Sequence, residues 1–290
     1  MSEQTKETLY EAGLVLEGGG MRGLYTAGVL DLFIEKGIYF RDCYGVSAGA
    51  TQCSSYLAKQ KGRAMQIFVD YMSDKRYASV SNLVKSGNYF DKEFSLKTIP
   101  DELVVYDYDT FAQSESNFYA VATNCKTGKA AYLKVEDMRK DIDKVWASCS
   151  LPLLSKMVEI DGEEYLDGGV ADSIPVVHAI KNGADKVVVV LTRDIEYRKS
   201  PNKLMPLIKM RYRDYPKFVK AMKRRHAKYN KTLLKIEKLE KAGKIFVIRP
   251  KQAVEVGRLE KDAEKMKALY DIGYRDAEQC YDALIEYLNK

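Results

Sequence analysis

Strands that alternate with helices predict an α/β protein of three layers, with helices on both faces of a central, largely parallel sheet. Three observations carry this prediction. A short apolar strand, Leu14–Leu16, runs into glycines and is followed by "LYTAGVLDLFIEKG", whose apolar residues recur at helical spacing up to Gly37. "DKVVVVLT", at 185–192, is a continuous β-branched run, the pattern of a strand buried on both faces of a parallel sheet. Further strand-like and helix-like segments alternate between and beyond these, without an internal repeat, a low-complexity stretch or a linker.

Taken in order, "DCYGVS" (42–47) reads as a second strand and "AGATQCSSYLAK" (48–59) as a small-residue helix suited to close packing on a sheet. Residues 62–115 read as helices mixed with loops. "NFYAVATNCKTGKAAYL" is strand, turn, strand, bending at Thr127-Gly128. "VEDMRKDIDKVWASCS" reads as a helix and "MVEIDGEEYLDGG" as a hairpin turning at Asp161-Gly162. "KIFVIRP" supplies a last strand ended by Pro250, and the residues from 257 to 288 form a closing helical region. The whole of 1–290 is expected to be one domain, with a basic helical segment at 193–244 between two core strands.

The 290 residues are 46% hydrophobic and 30% charged with 7 prolines, enough to bury a full core and ordinary for a globular protein. The polar start, MSEQTKET, reads as disordered and lacks the basic and apolar regions of a signal peptide. No apolar run approaches the roughly 20 residues that span a bilayer, so a cytoplasmic location is expected. Cys43, Cys53, Cys125, Cys149 and Cys280 are odd in number and scattered, which argues against a disulfide framework or a zinc site; no metal or cofactor is expected. Residues 193–244 hold 18 Lys and Arg against 5 Asp and Glu, a local excess of +13 on a chain of net charge +6. Such a block suits an anionic partner.

Gly18, Gly20 and Gly23 satisfy G-x-G-x-x-G between a strand and a helix, the context of a dinucleotide site, and Asp42 lies near the expected acidic position. Against that reading, Asp42 falls at the start of the next strand in the sequence pattern, not at its end. The alternative is an oxyanion hole: amides at a helix N-terminus, from Gly18 through Gly19, Gly20, Met21, Arg22 and Gly23, hold the negative oxygen formed when an acyl carbonyl is attacked.

"YGVSAGA" places Ser47 between Gly45 and Gly49 in a strand-turn-helix context, the form of a nucleophile elbow. The glycines permit a tight turn, and the Ala48 amide is placed to join the oxyanion donors. Ser47 as a plain helix N-cap is the simpler alternative. A serine hydroxyl needs a base, and the chain has only two histidines, His178 and His226. The order Ser47, Asp167, His178 allows a conventional triad, yet His178 falls inside an amphipathic helix and His226 among lysines and arginines. A carboxylate is the other candidate: Asp167 ends a strand before Gly168 and Gly169, which let two loops approach, although an Asp-Gly turn is the commoner use of such a pair.

"EGGGMRG", "GVSAG" and "DGG", in this order, resemble the patatin-like phospholipase family, and the likeness continues through "ASCSLPLL" over roughly residues 12–192. The tail "RLEKDAEKMKALYDIGYRDA" is similar to that of bacterial members. The resemblance implies a three-layer α/β/α hydrolase of fatty-acyl esters with a two-residue dyad, Ser47 as nucleophile and Asp167 as base. It also implies an oxyanion hole at 18–23 with Arg22 at the family's basic position, no metal in the dyad, and a lipid or acyl-ester substrate. The rivals are a histidine-dependent esterase and a nucleotide- or lipid-binding regulatory protein. The basic segment mixes Lys and Arg with Met, Leu, Tyr and Phe at helical spacing. This suits either a helix lying on an anionic membrane at the inner face or surface helices packed on the core; no nucleic-acid motif accompanies it.

Overall fold

The structure is a computed structural model describing residues 7–290, so the first six residues of the polar start lie outside the described residues. The first half of the chain forms β1 (Thr8–Leu16), α1 (Gly23–Glu35), β2 (Ile38–Val46), α2 (Ala48–Leu57), α3 (Arg63–Tyr71), α4 (Val80–Ser86), α5 (Tyr108–Ala112), β3 (Asn117–Asn124), β4 (Ala130–Val135) and α6 (Met138–Cys149). The second half forms β5 (Val158–Ile160), β6 (Glu163–Asp167), α7 (Val176–Lys181), β7 (Val187–Val190), α8 (Met205–Arg211), α9 (Pro216–Lys241), β8 (Phe246–Ile248), α10 (Ala263–Gln279) and α11 (Tyr281–Asn289).

These strands make one 8-stranded sheet in the order β5-β6-β3-β2-β1-β7-β8, with β4 added to β3. The pairs from β3 through β8 are parallel, and β4, β5 and β6 pair antiparallel. The pleat sorts side chains into layers. Leu14, Leu16, Val188 and Val190 face one core with α1, α2, α10 and α11. Val15, Val187 and Val189 face the other with α7 and α9. The fold is thus α/β in three layers.

Strands β1 and β2 begin earlier than their sequence pattern suggests. The first residues of β1 are exposed or half-buried, so only its buried end, Leu14–Leu16, carries an apolar signature. Asp42 consequently lies in the middle of β2, where its Oδ1 accepts from Asn117 Nδ2 (2.9 Å). Asp161 (φ 52°) and Gly162 (φ 74°) form the two-residue hairpin turn, with Ile160 facing Glu163.

Between β7 and β8 the basic segment forms α8 and α9. Its apolar stripe is spent inward: Phe218, Met222, Tyr229, Leu233 and Ile236 of α9 are buried against the core. Of the two readings of this segment, the α9 stripe fits helices packed on the core, while Leu207 and Met210 of α8 remain exposed. Beyond β8, α10 crosses α1 closely, and a Cβ at Gly28 would stand 2.1 Å from the Tyr270 carbonyl. Tyr270 donates to Asp31 Oδ2 (2.6 Å) and Tyr25 to Asp276 Oδ2 (3.0 Å) across this contact.

Candidate active site

Ser47 follows the last residue of β2 with φ 52° and ψ −123°. This is a conformation an L-residue enters only at a cost on the order of 1–3 kcal/mol, held by its surroundings. It occupies the N-cap position of α2 but makes no capping hydrogen bond, so the plain N-cap reading does not describe it. The turn leaves no room for side chains beside it: a Cβ at Gly45 would lie 2.5 Å from Ala50 Cα, and one at Gly49 2.6 Å from the Leu16 carbonyl. Two residues that carried no role in the sequence fix its backbone. Ser47 N donates to Ser148 Oγ (2.9 Å), Ser148 Oγ donates to the Val121 carbonyl (2.6 Å), and Cys149 Sγ donates to the Ser47 carbonyl (3.1 Å).

Asp167 reaches the same place from the opposite direction. Val46 faces Val121 in the β2–β3 register, and Asp167 faces Ala122 in the β6–β3 register. Because β4 occupies the other edge of β3 over 118–123, β2 and β6 meet end to end along a single edge. Their C-terminal residues converge beside the Val121 carbonyl, where a Cβ at Gly168 would be 1.9 Å away. The Asp167 side chain is 2% exposed. Its Oδ1 accepts from Gly169 N (2.7 Å), which is the Asp-Gly turn expected as the simpler reading. Its Oδ2 is buried and has no partner among the described residues, so the Ser47 hydroxyl does not donate to it here. One oxygen shapes the turn and the other is left over.

The glycine loop packs on the elbow, with the ideal Cβ position of Gly18 3.0 Å from Ser47 Cβ. Among the described residues the amides of Gly18, Gly19 and Ala48 donate to no group. Those of Met21 and Gly23 are committed: Met21 N donates to the Arg258 carbonyl (3.3 Å), and Gly23 N donates back to Gly20 and Met21. The segment between β8 and α10 crosses the far half of the loop expected as a cradle across 18–23. Gly20 (φ 58°) lies under that segment, with its Cβ position 2.7 Å from Arg258 O. Arg22 is buried and turned toward the same segment, donating to the Val256 carbonyl (3.4 Å). Burial, then Arg193, lowers its pKa to about 10, while Glu17 acts the other way.

Two cavities meet at the site. One, of about 240 Å³, opens in front of Ser47 and is walled chiefly by apolar side chains, among them Leu24, Ile67, Phe68, Met72 and Trp146. The other, of about 520 Å³, opens in front of Asp167 and is lined by Lys199, Arg225, His226 and Arg258. Leu151, Arg258 and Leu259 belong to both. His178 lines neither; its ring stacks on Tyr132 at 3.4 Å between centroids and 6° between planes, and burial lowers its pKa. His226, read from its neighbours as poorly placed for the core, does face the Asp167 cavity. Among the described residues no cluster of His, Cys, Asp and Glu could hold a metal ion, and no helix is long and apolar enough to cross a membrane.

Residues 14–180 match the family described as patatin-like phospholipase. The chain belongs to that family. Ser47, Asp167 and the glycine loop all lie within the patatin-like match, whereas residues 215–289 match a domain of unknown function (DUF6363). Among curated proteins, the chain is 33% identical over 184 residues to the uncharacterized protein YjjU of Escherichia coli, covering 62% of this chain and 51% of that one. It is 28% identical over 175 residues to the mouse 1-acylglycerol-3-phosphate O-acyltransferase Pnpla3, covering 57% and 41%. It is 26% identical over 191 residues to a probable lipid hydrolase, 463L, of invertebrate iridescent virus 6, covering 59% and 64%. The chain therefore spans about two fifths to two thirds of these relatives' lengths. Among solved structures it aligns with VipD from Legionella pneumophila at 12% identity and a TM-score of 0.46, covering 98% of this chain and 71% of that one.

Proposed function

We propose that this patatin-like protein is a serine acyl hydrolase that cleaves fatty-acyl esters of lipids through an acyl-enzyme on Ser47. The observation that carries the reading is Ser47 itself: a strained residue whose side chain makes no cap and faces an apolar cavity, with three amides lacking partners beside it. Family membership supports lipid acyl hydrolysis at the level of the family.

Asp167 Oδ2 takes the Ser47 proton as Oγ attacks the ester carbonyl, whose oxygen becomes negative. The amides of Gly18, Gly19 and Ala48 stabilise that oxyanion; losing one such donor costs about 3 kcal/mol of transition-state stabilisation. As the tetrahedral species collapses, the C–O bond to the alcohol breaks and Asp167 returns the proton to the departing oxygen. Water then attacks the acyl-enzyme, giving its proton to Asp167, and Ser47 Oγ recovers a proton as the fatty acid leaves. The structure does not form the hydrogen bond this transfer needs; catalytic hydrogen bonds often tighten only when substrate binds. Cys149 and Ser148 hold the Ser47 backbone, and the burial of Cys149 raises its thiol pKa, keeping it protonated and a donor.

A fluorophosphonate probe tests the reading. Covalent labelling of Ser47, lost in Ser47→Ala, is expected; folded protein that takes no label overturns it. A histidine-dependent mechanism would make His226→Ala inactive toward every ester, whereas the carboxylate mechanism predicts that His226→Ala still labels.

A further inference from the structure

The cavity in front of Asp167 is crowded with positive charge that the protein does not neutralise. Lys199 and Arg225 line it together with Arg258, and Arg22 and Arg193 stand behind them. Among the described residues none of these five forms an ion pair. Their donors go to neutral carbonyls instead: Arg225 Nε to Gly169 O (2.5 Å), Arg193 Nη1 to Val254 O (3.0 Å), and Arg22 Nη1 to Val256 O (3.4 Å). The Nε atoms of Arg22 and Arg193 are buried without partners.

Two carboxylates face this group, and neither is available as a full partner. Glu17 accepts at Oε2 from Thr192 N and Oγ1 (2.7 and 3.1 Å) and at Oε1 from the Tyr229 hydroxyl (2.6 Å). Asp167 gives Oδ1 to Gly169. The Lys199 ammonium rests on the Tyr229 ring, 4.2 Å from its centroid. Burial and then Arg225 lower its pKa to about 7, with Glu17 opposing. Partly buried like charges without counter-charges are costly unless something anionic completes them.

We propose that this cavity binds the phosphate head group of the acyl substrate, so that the enzyme selects anionic, phosphate-bearing acyl esters, with Lys199, Arg225 and Arg258 as the residues that read the head group. The proposal rests on the acyl-hydrolase reading of Ser47 and deepens it. The shared wall favours a head group over a separate effector. An ester at the seam formed by Leu151, Arg258 and Leu259 would place its chain in the apolar cavity and its anion in the cationic one. A phosphate suits the donors, because arginine forks and an ammonium together match three oxygens at several angles. The selecting residues lie outside 14–180, in the part of the chain to which the patatin-like match gives no role.

The test compares a monoacylglycerol with the glycerol-3-phosphate ester of the same acyl chain. The ratio of their kcat/KM values is expected to favour the phosphate ester and to fall about tenfold or more in Lys199→Gln, as loss of a charged hydrogen bond implies. Lys199→Arg should restore the ratio, and Lys203→Gln, at the exposed rim of the cavity, should lower it to a smaller extent. Lys209→Gln on the exposed face of α8 should leave it unchanged. A ratio that Lys199→Gln and Lys203→Gln do not move overturns the proposal. If neither ester is cleaved, the hydrolase reading fails, and binding of dodecyl phosphate to the Ser47→Ala protein still decides the anion site. Dodecyl phosphate should then bind at least tenfold more tightly than inorganic phosphate, and Lys199→Gln should abolish that preference. Equal binding of the two would make the cavity a free-anion site and overturn the head-group assignment.

Discussion

The cavity before Ser47 and the cavity before Asp167 share a wall, yet they come from different parts of the chain and from opposite chemistry. The first is built almost wholly from residues inside the patatin-like match, on α1, α2, α3 and α6, and its walls are apolar. The second takes its cationic lining from the excursion between β7 and β8 and from the segment before α10. Only Arg258 and Leu259 reach from the later part of the chain into both. The contrast separates reaction from selection. On the proposed reading, the family-matched part supplies the groups that attack an acyl ester, and the remainder supplies the selection among esters.

The sharpest way to break this comparison is at the seam. Ser47→Ala and Asp167→Asn are each expected to lower kcat/KM by about 10³-fold or more for charged and uncharged esters alike, because in the proposed mechanism both act on the bond and not on the head group. Steady-state hydrolysis of the paired esters checks this. Loss restricted to the phosphate ester in Asp167→Asn would move that residue from catalysis into recognition.

A smaller, one-sided effect is expected from filling the apolar cavity. Val145 on α6 is buried and lines it, so Val145→Phe adds volume where a chain would lie. Long-chain esters should lose about tenfold in kcat/KM and short-chain esters little, while overpacking costs on the order of 1–3 kcal/mol of stability. A uniform loss across chain lengths would mean that this cavity is not the acyl slot.

How much of this was readable from the sequence follows from how local each feature is. The elbow, the glycine loop and the Asp-Gly turn are short motifs whose backbone demands are met by neighbours in the chain, so Ser47 and Asp167 could be picked out singly. That they converge depends on β2 and β6 sharing an edge of β3, a register that no local pattern encodes. The commitment of the Met21 amide to Arg258 joins residues 21 and 258 and could not be read from either segment. The same holds for Lys199, which is ordinary in a stretch already rich in lysine and becomes singular only where it meets Tyr229, Glu17 and Arg225. The apolar spacing of α9 was legible; whether it faced lipid or core was not, since both burials demand the same stripe.

A pH series probes the cationic side with a few-fold effect. Lys199 is faced by Tyr197 from its own loop, Arg225 and Tyr229 from α9, Glu17 and Arg22 from the turn between β1 and α1, and Arg258 from the segment before α10. Its pKa, lowered from 10.5 to about 7, means that it is charged below that pH and loses its proton as pH rises through it. KM for the phosphate ester should therefore climb several-fold between about pH 6 and pH 9, KM for the uncharged ester should stay level, and Lys199→Arg should flatten the rise. Parallel curves for the two esters, or a rise that survives in Lys199→Arg, would assign the titration to another group.

The smallest effect belongs to His178, which touches neither cavity. Its ring lies between Tyr132 and the edge of Tyr44, on the face of the sheet that packs against α7 and α9. His178→Ala should keep kcat/KM within about twofold and cost on the order of 1 kcal/mol of stability from the lost stacking. The sign of its pH dependence separates packing from catalysis. Burial lowers its pKa below 6.5, so the unfolded chain binds the proton more readily and the wild-type fold loses stability as pH falls below that value. Denaturation of His178→Ala across the same range should lack that component, with hydrolysis unaffected at every pH; an activity loss that tracks the missing imidazole would return it to the catalytic group.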